Sequence, residues 1–188
     1  LSATKGRKPL EGARETYSRS LIFIHWAAAL LIVAVFASIE LREVFEKGSA
    51  PRENLKSLHF MLGLTVLALT AVRLFIRPRT TAPEILPPPR HWQAIAAKIV
   101  HATIYAFMFG MPLLGWLTLS AAGKPVPFFW LTLPPLIAEG KETADWLKEL
   151  HHELGQVFYF VIGAHAVAAL AHHYLIKDDT LTRRLPKA

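Results

Sequence analysis

The 188-residue chain contains no cysteine. Disulfide bonds, thiolate-held iron–sulfur clusters and covalent C-x-x-C-H haem attachment are therefore excluded, and any haem must be held by histidine or methionine without a thioether link. Charge is scarce in four long stretches, 21–39, 58–76, 99–122 and 154–176, while 53% of the chain is hydrophobic. Amphipathic periodicity is scarce there too, since these runs are apolar all round and not along one stripe of period 3.6. A soluble helical domain does not read this way. Each run is near the roughly 20 residues that a helix needs to cross a hydrocarbon core of about 30 Å. The expectation is an all-α, integral membrane four-helix bundle, a single domain over 17–186 behind a polar tail, 1–16. The basic residues ahead of the first run are not read as a cleaved leader, because the run is too long for an h-region and no A-x-A site follows it. The net charge of +7 is spread among the loops without a basic helix or an aromatic-basic repeat, so nucleic acid is not an expected partner.

The cations instead set topology. Lys5, Arg7, Lys8, Arg14 and Arg19 precede the first run, Arg77, Arg79, Arg90 and Lys98 outweigh Glu84 between the second and third, and Lys177, Arg183, Arg184 and Lys187 end the chain. By the positive-inside rule these segments, with both termini, are cytoplasmic. The other two loops are balanced and face outward. The segment RPRTTAPEILPPPR reads as a stiff proline-rich strap. VPFFWLTLPPLI is apolar but broken by Pro125, Pro127, Pro134 and Pro135, so it lies at the outer interface with Trp130 as anchor and is placed to cover a cofactor. A capped helix is expected to begin at Thr143.

Histidines inside membrane helices are expensive and point to function. His151 and His165 lie on one helix face about four turns apart, with a rise of about 21 Å, which suits two cofactors stacked across the bilayer. His59 and His151 begin their helices from the outer side, at matching depth. His25 and His165 lie deeper, about 21 Å from the outer ends of their helices. Residues one turn further share the helix face, and those following the four histidines are Ala29, Gly63, Gly155 and Ala169. All are small enough to let a flat macrocycle approach. Two bis-histidine haems follow, His59 with His151 outside and His25 with His165 inside, although His172 matches His25 better when depth is taken from the cytoplasmic end. The alternative is that these histidines bond helix to helix. His101 and His172 are candidates to bond a quinone carbonyl or a haem propionate, the alternative being interfacial histidines. Arg73 shares a face with His59 and is either a propionate partner or a topology-setting cation. His151, His152 and Glu153 imitate a zinc site, but nothing completes its coordination. His91 and Trp92 read as an interfacial pair.

YSRSLIFIHW at Tyr17–Trp26, VRLFIR around Arg73, HATIYAF from His101 and YFVIGAHAVAALAHHYLIKDDTL from Tyr159 resemble the bacterial cytochrome b561 family. The resemblance implies a four-helix inner-membrane cytochrome with two non-covalent haem b groups on His25, His59, His151 and His165, favouring His165 over His172. It also implies electron transfer from superoxide or another periplasmic donor to ubiquinone, with no catalytic side chain as such. Within that family the doubled His151 and His152 is a local departure. The alternative is a cytochrome b subunit of a larger quinone-linked dehydrogenase or hydrogenase. Assembly into a homo-oligomer is left open. The outer loops carry no net positive field, so steering of an anionic donor would rest on local placement of Arg42, Arg52, Lys56, Lys124 or Lys148.

Overall fold

The computed structural model describes residues 17–77, 85 and 87–182. Four helices run up and down: α1, Arg19–Leu41; α2, Ala50–Ile76; α3, His91–Ala121; and α4, Lys141–Ala171. A π-helical turn, His172–Ile176, continues α4. Between α3 and α4 stands an antiparallel hairpin of β1, Val126–Phe128, and β2, Leu131–Leu133. One end of the bundle therefore carries the α1–α2 connection and this hairpin. The other carries the start of α1, the end of α2, the start of α3 and the end of α4; we call these the hairpin end and the tail end.

Local chemistry explains most of the boundaries. Ser18 caps α1 by accepting the Leu21 N–H at 3.4 Å, and Pro51 stands in the first turn of α2, where its missing N–H costs nothing. Gln93 Oε1 accepts the Arg90 N–H at 2.8 Å ahead of α3. All four expected spans are present as helices, but α2, α3 and α4 begin eight or more residues earlier than their apolar runs, at Ala50, His91 and Lys141. The reason is that helical hydrogen bonding does not stop at the edge of the greasy stretch, and polar first turns are stable in the interface. The start expected at Thr143 is displaced for the same reason. Gly140 is the N-cap, without a side-chain bond, and Thr143 lies inside the first turn.

The bundle core draws one residue from each helix, Ala28, Val66, Met108 and Phe158. Around it the helices bury little inside the protein: 22%, 17%, 11% and 6% of their most apolar windows from α1 to α4. Phe23, Phe75, Phe160, Val167 and Leu175 all stand exposed. In water that would leave an untenable apolar surface; in a bilayer it is the lipid-facing surface. The chain is a multi-pass membrane protein.

The hairpin was not legible in the proline-broken sequence of its loop. Val126 is buried with Leu64 of α2 and Leu119 of α3, and Trp116 Nε1 donates to the Pro134 carbonyl at 2.9 Å. These contacts fold the loop down over the helix ends, while Trp130 at its tip is 86% exposed, as an interfacial anchor would be. The N-terminal tail, most of the proline-rich strap and the last basic residues lie outside the described residues.

Candidate functional site

At the hairpin end the helices separate around a cavity of about 750 Å³, within the roughly 300–1,000 Å³ usual for cofactor pockets. His59 of α2 and His151 of α4 stand in its wall together with Gly63 and Gly155. The two rings face each other with centroids 6.2 Å apart and planes at 78°. Imidazole–metal bonds, as at zinc, are about 2.0–2.1 Å, and a ring centroid lies about 1 Å behind its bonding nitrogen, so two imidazoles sharing one metal ion keep centroids about 6 Å apart. The spacing fits a metal held between them.

The protonation pattern fits as well. His59 Nδ1 lies 3.1 Å from the Val35 carbonyl oxygen. A carbonyl only accepts, so Nδ1 carries the hydrogen, and the neutral ring keeps its lone pair on Nε2 for a metal. His151 Nδ1 is buried beside the Met111 carbonyl but without a hydrogen bond of good geometry.

Glycine makes the room. A Cβ on Gly63 would meet nothing within 4 Å, one on Gly155 only Met111 Cε at 3.8 Å, and one on Gly115 of α3 the His151 ring at 3.5 Å. Gly115 thus lies against the His151 ring, a neighbour that sequence spacing did not reveal. Tyr159 and Glu40 also stand in the wall, where the phenol donates to Glu40 Oε1 at 2.8 Å and ties α4 to α1. Among the described residues no group of three or more His, Asp or Glu side chains is placed to hold a metal ion, so His151, His152 and Glu153 form no zinc site there.

Toward the tail end the remaining candidates meet in two pairs. Arg73 Nη1 donates to His25 Nδ1 at 3.3 Å, and the His101 ring meets the His165 ring edge-on at 5.3 Å between centroids. His101 Nδ1–H donates in turn to the Ala97 carbonyl at 2.6 Å. The arrangement differs from the hairpin end. With Nδ1 accepting from Arg73, a neutral His25 carries its hydrogen on Nε2, and binding a metal through Nε2 requires the Arg73 bond to break. Arg73 Nε is already buried without a hydrogen-bond partner, and its guanidinium stands 5.7 Å over the Tyr105 ring. Such a cation suits an anionic substituent such as a propionate. His172 is bonded through Nδ1 to Asp178.

The mouth of the cavity carries Arg42, Lys56, Lys124 and Lys148 beside Glu40, Glu43 and Asp145. Arg42 and Arg52 both bind Glu43, each at 2.9 Å, and Lys56 binds Glu53 at 3.2 Å. Arg52 also donates to the Arg42 and Phe45 carbonyls, which makes it a brace for the α1–α2 connection. Lys124 and Lys148 remain exposed at the mouth.

A four-helix membrane bundle with facing imidazoles across an apolar cavity defines a class, the b-type cytochromes that hold haem non-covalently between helices. The chain belongs to the prokaryotic cytochrome b561 family, whose description it matches over residues 16–187. It is 36% identical over 171 residues to cytochrome b561 homolog 1 of Escherichia coli, covering 91% of this chain and 97% of that protein. It is 38% identical over 174 residues to the probable superoxide oxidase CybB of Yersinia pestis, covering 91% and 96%. Cytochrome b561 homolog 2 of Escherichia coli is 27% identical over 175 residues, covering 93% of each. The chain is thus a membrane electron-transfer cytochrome of the b type, an oxidoreductase.

Proposed function

We propose that the chain holds two haem b groups and carries electrons from a periplasmic donor, superoxide, to membrane ubiquinone. The observation that carries this reading is the pair His59 and His151 facing each other at 6.2 Å across an apolar cavity. These two residues would hold one haem. His25 and His165 would hold the second, with Arg73 released to its propionate. When bound, the haems supply one-electron storage at two depths of the bilayer. The protein does the rest. Val35 keeps the His59 proton on Nδ1, the walls of the cavity are largely apolar, and Val126 of the hairpin forms part of them.

In this reading the hairpin end faces the periplasm of a bacterial inner membrane and the tail end faces the cytoplasm. An anion approaching the mouth meets Lys124 and Lys148, since Arg42 and Arg52 are both engaged with Glu43. That supports an anionic donor such as superoxide by charge. His172 and His101 are the candidate hydrogen-bond partners for a quinone at the tail end.

A pyridine haemochrome assay on the purified protein tests the cofactor: about two b haems per chain are expected, with low-spin oxidised and dithionite-reduced spectra. Absence of a Soret band after expression with ample haem would return the histidines to helix packing. Stopped-flow reduction by superoxide tests the donor; a rate no faster than spontaneous dismutation overturns it. Co-purification with a periplasmic redox partner would point instead to a subunit of a larger dehydrogenase or hydrogenase.

A further inference from the structure

The four helices form a ring in which α1 packs along α2, α2 along α3 and α3 along α4. Each of those pairs is also consecutive in the chain. The remaining pair, α1 and α4, is joined by no loop at either end, and its backbones do not run packed together as the others do. A bundle opens most easily at such a seam, because parting the two helices strains no connection.

At the hairpin end the seam is bridged by side chains gathered around Tyr159. The Tyr159 ring lies over that of Phe36 with centroids 3.9 Å apart and planes at 32°, and its hydroxyl donates to Glu40 Oε1 at 2.8 Å. Phe36 and Glu40 stand one turn apart on α1, so a single α4 side chain holds two consecutive turns of the facing helix. Phe158 also reaches Phe36, at 6.0 Å between centroids, but it is buried in the core and stacked on Phe107 of α3. Directly behind Tyr159 is the cavity. Its wall comes to the outside here, since Glu40, His152 and Gln156 line it and are exposed. His152, Gln156 and Tyr159 follow at i, i+4 and i+7 and share one face of α4, which gives the seam a polar rim. Toward the middle of the bundle the same faces carry Val33, 66% exposed, and Gly163, where a Cβ would meet nothing within 4 Å. Tyr159 is thus the main side chain that holds the seam shut at the level of the cavity.

We propose that the α1–α4 seam is the port through which haem passes between the bilayer and the hairpin-end cavity, with Tyr159 as its latch. This rests on the reading that His59 and His151 hold haem. The chemistry of haem suits the route. Its macrocycle is apolar and keeps to the acyl chains, while its two propionates keep to the interface, as amphipathic groups do. A lateral passage at the hairpin end lets both stay in their preferred surroundings, with the macrocycle sliding between Phe36 and Tyr159 and the propionates following the polar rim. Entry from water through the mouth would instead carry the macrocycle past Arg42, Glu43 and Lys56, which are charged and ion-paired. Opening costs little. Tyr159 changes rotamer and gives its hydroxyl to water, and Glu40, exposed at the end of α1, is solvated in either state.

The way out is the way in, so the test starts from the haem-loaded protein in nanodiscs and follows transfer of haem to excess apomyoglobin by the Soret band. The hairpin-end component is the one missing in His59→Ala, and the melting temperature reports folding. Tyr159→Phe keeps the ring and loses the bond to Glu40. It is expected to release the hairpin-end haem about tenfold faster, the scale of a hydrogen bond to a charged group, with the tail-end component unchanged. Because the chain has no cysteine, the double variant Glu40→Cys, Tyr159→Cys can be joined by a short bis-methanethiosulfonate linker. Joined, it is expected to release the hairpin-end haem several-fold more slowly than the same protein after a phosphine has reduced the linker. Release that the linker does not slow overturns the port, since haem then leaves by another way. A Tyr159→Phe rate that is unchanged, or that rises equally for both components, overturns Tyr159 as the latch. If His59→Ala lacks no component, the haem site itself is misassigned; the functional reading fails there, and the port falls with it.

Discussion

His59 illustrates how one side chain can be committed before a cofactor arrives. Its bond to the Val35 carbonyl fixes the ring orientation and leaves the cavity-facing nitrogen unprotonated, so a metal need displace no proton. His59→Ala is expected to abolish one of two b-haem signals and leave the other, read from low-temperature difference spectra. The same result is expected for His151→Ala, whereas His165→Ala should remove the other signal. Gly63 offers a sharper test because it touches nothing through its missing side chain. Gly63→Leu is expected to fold, with stability changed by less than about 1 kcal/mol, yet to lose the hairpin-end haem by filling its space. Gly63→Ala should lose less. If Gly63→Leu keeps both haems, the cavity between α2 and α4 is not the haem site.

At the scale of elements, the hairpin turn and the end of α4 depend on unusual backbone. Phe129 occupies the first of two turn residues in the hairpin at φ 55°, a conformation that costs a side-chain-bearing residue about 1–2 kcal/mol relative to its right-handed alternatives. Phe129→Gly is therefore expected to stabilise the hairpin by about 1 kcal/mol, seen as slower amide exchange at Val126 and Leu133. The close of α4 should respond to acid. The native pKa of Asp178 lies below its ordinary 3.8, so its contribution is complete above the ordinary value and is lost as pH falls through the lowered native value. Amide exchange at Thr180, whose N–H donates to the Asp178 carboxylate at 2.9 Å, is expected to accelerate over that acid range in the wild type, and Asp178→Asn should flatten the response.

The whole molecule presents a mixed field at its hairpin end, where Arg42, Arg52 and Lys56 are paired with nearby acids. Lys124 and Lys148 at the cavity mouth carry the burden of attracting an anion. Replacing both by glutamate is expected to lower the rate of reduction by superoxide about tenfold at low salt. The difference should shrink as ionic strength rises and the screening length falls to about 10 Å at 0.1 M. An unchanged rate at low salt would remove electrostatic steering from the mechanism. Charge reversal at Lys56, already paired with Glu53, should matter less.

The four spans, the absence of thiol chemistry and the four histidines with small neighbours were legible in the sequence, because lipid demands long apolar helices and helical geometry fixes which residues share a face. His59 and His151, with their glycines, are brought together as that spacing implied. Tertiary structure decided what no spacing contains. Which carbonyl holds His59, that Arg73 sits on His25, that His101 meets His165, and that a proline-broken loop becomes a hairpin all depend on contacts between elements distant in sequence. The Asp178–His172 pair is local, only six positions apart, yet it was hidden too. A regular helix would carry those side chains to different faces, and only the π turn with a left-handed Lys177 brings them together.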